Sequence, residues 1–173
     1  MKFKEFKIWK YNEDFNQMAL MFSPKVPIIK NLGIVFHHSG DPKPVPDERC
    51  DWYKVIYRWH TEGRGWDSIG YDFVIERTGD IVATDRWLYQ REGYHAVGLI
   101  DGESVNKRCV GVCIVGNGNL QKMTPEQKHA IALLYDYLSV FGIKNFYPHA
   151  IFSKKKTCPT ANYWKDILEA IGW

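Results

Sequence analysis

The sequence contains no long apolar run and no segment that resembles a secretory signal. None of its stretches approaches the roughly 20 apolar residues that a membrane-spanning helix requires. Residues 1–7 interleave charged and aromatic side chains and build no apolar core of a signal peptide. We therefore expect no membrane insertion and a protein that is cytoplasmic on synthesis.

Cysteines are few, and their spacing does not fit a disulfide scaffold. The four of them, at positions 50, 109, 113 and 158, are scattered through the chain. This pattern indicates thiols that stay reduced in a reducing compartment. Cys109 and Cys113 lie four residues apart in an apolar segment and so share one face of a strand. We interpret them as core residues and not as metal ligands.

The chain also has little excess of positive over negative charge. The formal net charge is +3 and the basic residues are dispersed, so we expect no nucleic-acid partner. A small positive charge is compatible with an anionic polymer as the partner. The length of 173 residues suits a single domain, and we expect a monomer.

Hydrophobic patterns predict an alternation of strands and helices from residue 29 onward. Two continuous apolar runs, 32–38 and 109–115, indicate buried strands. Residues 70–77 and 81–84 flank a Thr-Gly-Asp turn, which is typical of a β-hairpin. A further short strand is predicted over residues 143–147.

Three amphipathic helices are predicted around these strands. The first has an apolar stripe and a candidate N-cap at Asp47. The second opens with Thr-Pro-Glu-Gln at 124–127, a capping box with proline at the first helical position, and closes at Gly142. The third covers residues 164–171. The stripe of the first helix consists of Trp52, Val55, Ile56 and Trp59.

Strands that alternate with helices predict an α/β fold. We expect a single domain with a central mixed β-sheet flanked by helices on both faces. Residues 1–30 fit neither the helical nor the strand period, so we interpret them as an N-terminal extension that forms a strand or a short helix. Its packing and any protein partner stay open at this point. Residues 31–173 form the predicted domain.

Three residues near the two ends of that domain form a candidate metal site. His37 follows a strand-like run, and His149 and Cys158 lie near the C-terminus. Two imidazoles and one thiolate are good zinc ligands, and three protein ligands leave a fourth position open, as in catalytic sites. The spacing alone is only moderately specific, because a histidine that ends an apolar strand is by default a hydrogen-bonded core residue.

Four segments give the chain a resemblance to the zinc-dependent N-acetylmuramoyl-L-alanine amidases of type 2. That family shares its fold with peptidoglycan recognition proteins and with the lysozyme of T-odd phages. The resemblance runs from about residue 34 to 164, and the segments keep the family's order. They are Val-Phe-His-His-Ser at 35–39; Trp-His, Gly-Trp and Ile-Gly-Tyr-Asp-Phe-Val-Ile between 59 and 75; Cys-Val-Gly-Val-Cys-Ile-Val-Gly at 109–116; and His149 with Lys-Thr-Cys-Pro at 156–159.

The resemblance implies a role for several side chains. It identifies Tyr71 and Lys156 as catalytic residues. His95 lies in a Tyr-His-Ala-Val-Gly loop that matches a cleft-lining loop of the family, and we interpret it as a substrate-binding residue, with no contact to substrate as the alternative. The implied Zn²⁺ ligands are His37, His149 and Cys158.

The resemblance also implies the reaction. The protein would hydrolyse the amide bond between N-acetylmuramic acid and L-alanine in bacterial peptidoglycan, as a phage endolysin that acts on the cell wall after release. The sequence has no His-Glu-x-x-His motif, which excludes a thermolysin-type site. Two alternatives stay open: a peptidoglycan-binding module without catalysis, and a relative that regulates a viral RNA polymerase.

The remaining histidines receive simpler interpretations. His60 and His129 lie on predicted helices among polar residues, so we expect both to be exposed and without a functional role. His38 is expected to support its neighbour His37.

Overall fold

One mixed sheet organises the fold of the part of the chain that the computed structural model describes, residues 5–153 and 157–173. Six strands lie in the order β1-β4-β3-β7-β2-β8, and a separate two-stranded ribbon pairs β5 with β6. The strands are β1 (Lys7–Trp9), β2 (Gly33–His38), β3 (Phe73–Ile75), β4 (Ile81–Ala83), β5 (Leu99–Ile100), β6 (Glu103–Ser104), β7 (Cys109–Ile114) and β8 (Phe146–Pro148).

Six α-helices and one 3₁₀ turn accompany the sheet in these described residues. None of the helices there combines the length and the apolar character that crossing a membrane demands. The 3₁₀ turn covers His149–Phe152. The helices are α1 (Phe15–Met21), α2 (Trp52–Thr61), α3 (Asp85–Leu88), α4 (Val105–Arg108), α5 (Pro125–Ser139) and α6 (Ala161–Ala170).

The centre of the sheet is parallel. Strand β2 lies between β7 and β8 and runs parallel to both, and β3 runs parallel to β7. The register places His37 opposite Cys113 and Phe36 opposite Pro148. The predicted hairpin is present, because β3 and β4 pair antiparallel with Val74 opposite Val82. The predicted α/β class with one central mixed sheet is confirmed.

Alternation along β2 divides the core into two layers. Ile34 and Phe36 point to the face covered by α5 and α6, where Leu134 and Ile167 are fully or almost fully buried. Helix α5 starts with the predicted capping box: the Thr124 side chain accepts a hydrogen bond from the backbone N–H of Gln127 at 3.0 Å. This apolar layer between the sheet and the helices α5 and α6 is the larger of the two.

Helix α2 covers the opposite face, but its buried stripe differs from the prediction. Ile56 is buried as expected, whereas Trp59 is 42% exposed and the inward positions one turn apart are those of Tyr53, Tyr57 and His60. Residues 53, 56, 57 and 60 satisfy the helical period as well as the predicted set does. Sequence periodicity could not separate the two stripes, because aromatic residues occupy both.

The N-cap prediction for α2 is wrong. The helix begins after Asp51, not after Asp47, and the Asp51 side chain makes no capping hydrogen bond. The Glu76 carboxylate, which follows β3, takes that role: it accepts hydrogen bonds from the backbone N–H groups of Trp52 at 3.1 Å and Tyr53 at 2.7 Å. A tertiary contact therefore replaces the local cap that the sequence suggested.

The N-terminal extension belongs to the same sheet. Strand β1 adds an antiparallel edge to β4, with Ile8 opposite Val82. Helix α1 follows, and the side chains of Trp9, Met18 and Phe22 are buried in the larger core layer. The first thirty residues thus contain both a strand and a helix, packed against the domain.

Candidate metal centre

His37, His149 and Cys158 come together on the α2 face of the sheet. One potential ligand atom of each lies within 4.8 Å of the others. The ring centroids of His37 and His149 are 4.4 Å apart. Residues separated by more than a hundred positions in sequence are therefore neighbours in the fold.

Strand register explains how the two histidines meet. Strands β2 and β8 are parallel neighbours with Phe36 opposite Pro148, so the next residues, His37 and His149, leave the pair side by side. The segment that contains Cys158 lies against the residue that follows His149. The Cys158 carbonyl accepts the backbone N–H of Ala150 at 2.7 Å.

The Cys158 sulfur has a backbone donor. The N–H of His38 points at its Sγ atom at 3.3 Å. Such a donor stabilises the negatively charged thiolate, which is the form of cysteine that binds a metal. The expected support of His37 by His38 stays a prediction; the structure shows the backbone contact with Cys158, and the His38 ring accepts the N–H of Gly118 at 3.4 Å.

The donor set fits zinc. Two imidazole nitrogens and one thiolate match the preference of Zn²⁺, whereas Mg²⁺ and Ca²⁺ prefer oxygen ligands. His37 and His149 are buried and Cys158 is half-buried, so the three residues do not form an exposed surface cluster. That these residues bind Zn²⁺ stays a prediction.

Tyr71 stands next to these residues, just before β3. Its ring centroid lies 5.0 Å from that of His37. Loss of hydration raises the pKa of Tyr71 well above its ordinary value, and the nearby Cys113 thiol acts in the same direction. The phenol therefore keeps its proton at neutral pH and can donate a hydrogen bond.

A cleft of about 280 Å³ opens beside the cluster. One wall is aromatic: the ring centroids of Trp66 and Tyr94 are 5.0 Å apart at an angle of 32°. The Arg64 guanidinium lies 5.2 Å from the Trp66 centroid, and the Arg86 guanidinium lies 4.7 Å from that of Tyr94. The cleft is lined by His60, Arg64, Trp66, Tyr71, Tyr94, His95, Ala96, Val97, Asn106 and His149.

His95 lines this cleft and is only 5% exposed. Its Nδ1 atom is 3.2 Å from Nε2 of His37. Burial lowers the pKa of His95 to about 3, so the ring is neutral under ordinary conditions. The predicted substrate-binding role of His95 stays a prediction; the structure places the residue on the cleft wall and in contact with His37.

The interpretation of His60 as an exposed residue is wrong. It is 8% exposed and lines the cleft, with its ring centroid 4.7 Å from that of Trp66 and 5.5 Å from that of Tyr71. Its Nδ1 atom accepts the N–H of Gly70 at 3.1 Å, and burial lowers its pKa to about 4. The four-residue spacing from Ile56 allows this inward position, but the stripe through Trp59 satisfies the helical period equally well.

The other sequence predictions near the site divide into two groups. His129 is exposed, as expected, and Cys109 and Cys113 are buried free thiols on β7. Lys156 lies outside the described residues, so its catalytic role stays a prediction from resemblance alone.

Comparison with known proteins assigns the chain to a family. The family model described as N-acetylmuramoyl-L-alanine amidase matches residues 29–161. The chain therefore belongs to the type 2 family of N-acetylmuramoyl-L-alanine amidases.

The similar proteins include both peptidoglycan-recognition proteins and amidases. Peptidoglycan-recognition protein SC2 of Drosophila simulans is 28% identical over 147 residues, 83% of this chain and 75% of the relative. The structure of N-acetylmuramoyl-L-alanine amidase LysC from Clostridium intestinale URNW has 27% identity and a TM-score of 0.63, covering 87% of this chain and 93% of that one. The endolysin amidase LysCS of the same organism has 26% identity and a TM-score of 0.54, with coverages of 87% and 91%.

Proposed function

We propose that this protein is a zinc-dependent amidase that cleaves the bond between N-acetylmuramic acid and L-alanine in bacterial peptidoglycan. The observation that carries the proposal is the convergence of His37, His149 and Cys158 within 4.8 Å, beside a cleft that His149 also lines. Membership of the amidase family supplies the substrate class.

The metal and the neighbouring side chains have separate tasks in this proposal. A zinc ion at this site would activate water and polarise the substrate carbonyl. Tyr71, which keeps its proton at neutral pH, donates a hydrogen bond to the substrate or assists proton transfer to the departing amine. By the resemblance to the family, Lys156 would contribute a positive charge that stabilises the oxyanion developing on the carbonyl oxygen.

The cleft suits a glycopeptide. The Trp66 and Tyr94 rings offer an apolar surface for a sugar or a peptide side chain, and Arg64 at the same wall pairs with a carboxylate of the stem peptide. The polymer is anionic, and the net charge of +3 on the chain favours its approach. The neutral ring of His60 adds a hydrogen-bonding group without adding charge.

We further propose that the biological role is that of a phage endolysin, which reaches the cell wall after release from the cell that makes it. The similarity to an endolysin amidase of Clostridium intestinale URNW supports this role. A second candidate is peptidoglycan recognition without catalysis, and the similarity to a Drosophila peptidoglycan-recognition protein supports it. The potential ligand set of His37, His149 and Cys158 favours the enzyme, because a recognition module does not need it.

Product analysis separates these candidates. Purified cell wall is incubated with the zinc-loaded protein and with the His149→Ala variant, and new amino groups and new reducing sugars are both measured. An amidase releases amino groups without reducing sugars, and the variant releases neither. Sedimentation with the cell wall but no amine release from the wild-type protein would establish recognition alone. Reducing sugars in the product would indicate a glycosidase and contradict the proposal.

A further inference from the structure

His95 contacts a predicted metal ligand directly. Its Nδ1 atom lies 3.2 Å from Nε2 of His37, and the two ring planes are nearly perpendicular, at 87°. Both rings are buried. A distance of this length between two imidazole nitrogens is a hydrogen bond, in which one nitrogen carries the proton and the other accepts it.

The fold holds the His95 ring in this place from two sides. Asn106 fixes the loop, because its Oδ1 atom accepts the N–H groups of His95 at 2.8 Å and Ala96 at 2.9 Å. Below the ring, Gly111 on β7 leaves the space that the imidazole fills: a Cβ atom there would lie 2.5 Å from the His95 ring. The contact with His37 is therefore built into the loop and the sheet.

Only one arrangement of protons is compatible with both this hydrogen bond and metal binding. A metal-bound imidazole uses the lone pair of one nitrogen and carries hydrogen on the other. If His95 donated the hydrogen bond, Nε2 of His37 would be occupied as an acceptor and its Nδ1 would carry the hydrogen. His37 would then have no nitrogen for zinc. The hydrogen bond must run from His37 to His95.

We propose that His95 is a positioning residue for the zinc ligand His37: its Nδ1 atom accepts the Nε2–H of His37 and leaves Nδ1 of His37 to bind the metal. The inference rests on the proposed zinc site. The hydrogen bond selects one tautomer of His37 and fixes the orientation of its ring. Partners of this kind contribute about 10- to 100-fold in metal affinity.

Two substitutions at position 95 isolate the hydrogen bond from the packing. Asparagine places its Oδ1 atom where Nδ1 of His95 lies, so it keeps an acceptor. Leucine has a similar shape and offers none. Zinc affinity of the full chain is measured by competition with a chromophoric chelator, in the absence of cell wall, for the wild type, His95→Asn and His95→Leu. His129→Gln, at an exposed surface position, controls for adventitious binding by histidine.

We expect His95→Leu to bind zinc about 10- to 100-fold more weakly than the wild type. His95→Asn should stay within a few-fold of the wild type, and His129→Gln should match it. Equal affinity of wild type and His95→Leu overturns the inference and leaves His95 with a substrate role, which would raise KM without changing zinc affinity. Equal weakening in both variants also overturns it, because the acceptor would then not matter. A loss as large as that of His149→Ala would make His95 a ligand.

One measurement needs no variant and holds even if His95→Leu fails to fold. Nitrogen-15 NMR of the zinc-loaded wild type reports which nitrogen of His37 carries hydrogen. The inference requires hydrogen on Nε2 and is overturned by hydrogen on Nδ1. A wild-type protein that binds no zinc fails the proposed function itself, which distinguishes that failure from a failure at His95.

Discussion

The ring of Tyr71 lies 5.0 Å from the ring of His37, centroid to centroid, and lines the same cleft as Trp66 and Tyr94. Tyr71 is therefore a cleft-lining neighbour of the candidate metal ligands and does not belong to the group of three. Because loss of hydration holds its pKa well above the ordinary value, Tyr71 acts as a hydrogen-bond donor throughout the neutral range.

Tyr71→Phe should therefore fold and bind zinc normally but lose activity. Removal of one positioned donor typically lowers turnover by about 10²- to 10³-fold. Amine release from cell wall and zinc content are measured on the same sample. Tyr135→Phe is the matched control, since the Tyr135 hydroxyl donates to the Lys144 carbonyl on an exposed surface. Full activity of Tyr71→Phe would remove the residue from the reaction.

Replacing any one of His37, His149 or Cys158 with alanine should abolish zinc binding and amidase activity together. The reason is that two remaining ligands cannot hold the ion against hydration and exchange. Metal analysis after gel filtration should give close to one zinc per chain for the wild type and for His129→Ala, and close to none for the three variants. A variant that loses activity but retains a full equivalent of zinc is not a ligand variant.

Lys156→Ala should keep zinc and lose most of its activity, because the positive charge at the developing oxyanion disappears. Lys154→Ala and Lys155→Ala are the natural controls, since both remove the same charge from the same tripeptide. Both controls should retain near-wild-type amine release. If Lys155→Ala is the inactive variant instead, the catalytic lysine has been assigned one position too late.

Glu76 gives a prediction for stability and pH. Burial raises the pKa of this helix-capping carboxyl from 4.5 to about 7, although the N–H groups of Tyr53 and Trp52 act against the shift. Between these two values the folded chain keeps a proton that the unfolded chain has lost, so the free energy of unfolding falls as pH rises. This loss of stability is absent below pH 4.5 and complete above pH 7.

The variant Glu76→Gln removes this titration and leaves a side chain of the same shape that still accepts a hydrogen bond. Relative to the variant, the free energy of unfolding of the wild type should fall by roughly 3 kcal/mol from pH 4.5 to 7. Urea unfolding of both proteins at several pH values, followed by tryptophan fluorescence, measures it. A difference that stays constant with pH would show that folding does not raise the pKa of Glu76.

The sequence predicted those elements whose signals are local. Two such signals are each contained within a few consecutive residues: the capping box before α5 and the Thr-Gly-Asp turn between β3 and β4. Both features are present in the structure. Strand β1 has only three residues, and its pairing depends on β4, which lies more than seventy positions away. No period can be recognised in so short a segment, so its place in the sheet could not be predicted.

The site was predictable in part for the same reason. The motifs around His37, Tyr71 and Cys158 can be identified in sequence, and the structure brings these residues together. The inward position of His60 depends on which of two aromatic stripes on α2 meets the sheet, and the cap of α2 depends on the Glu76 carboxylate, which follows β3. Both are tertiary choices that a one-dimensional pattern does not encode.

Zinc titration of the metal-free protein distinguishes a zinc-dependent reaction from a metal-free one. The protein is stripped with a chelator, freed of it, and supplied with increasing zinc while amine release from purified cell wall is followed. We expect no release at zero zinc, a rise in proportion to added metal, and a plateau at one zinc per chain. Full amine release from the stripped protein would contradict the zinc mechanism and leave a metal-free nucleophile, with the Cys158 thiol as the first candidate.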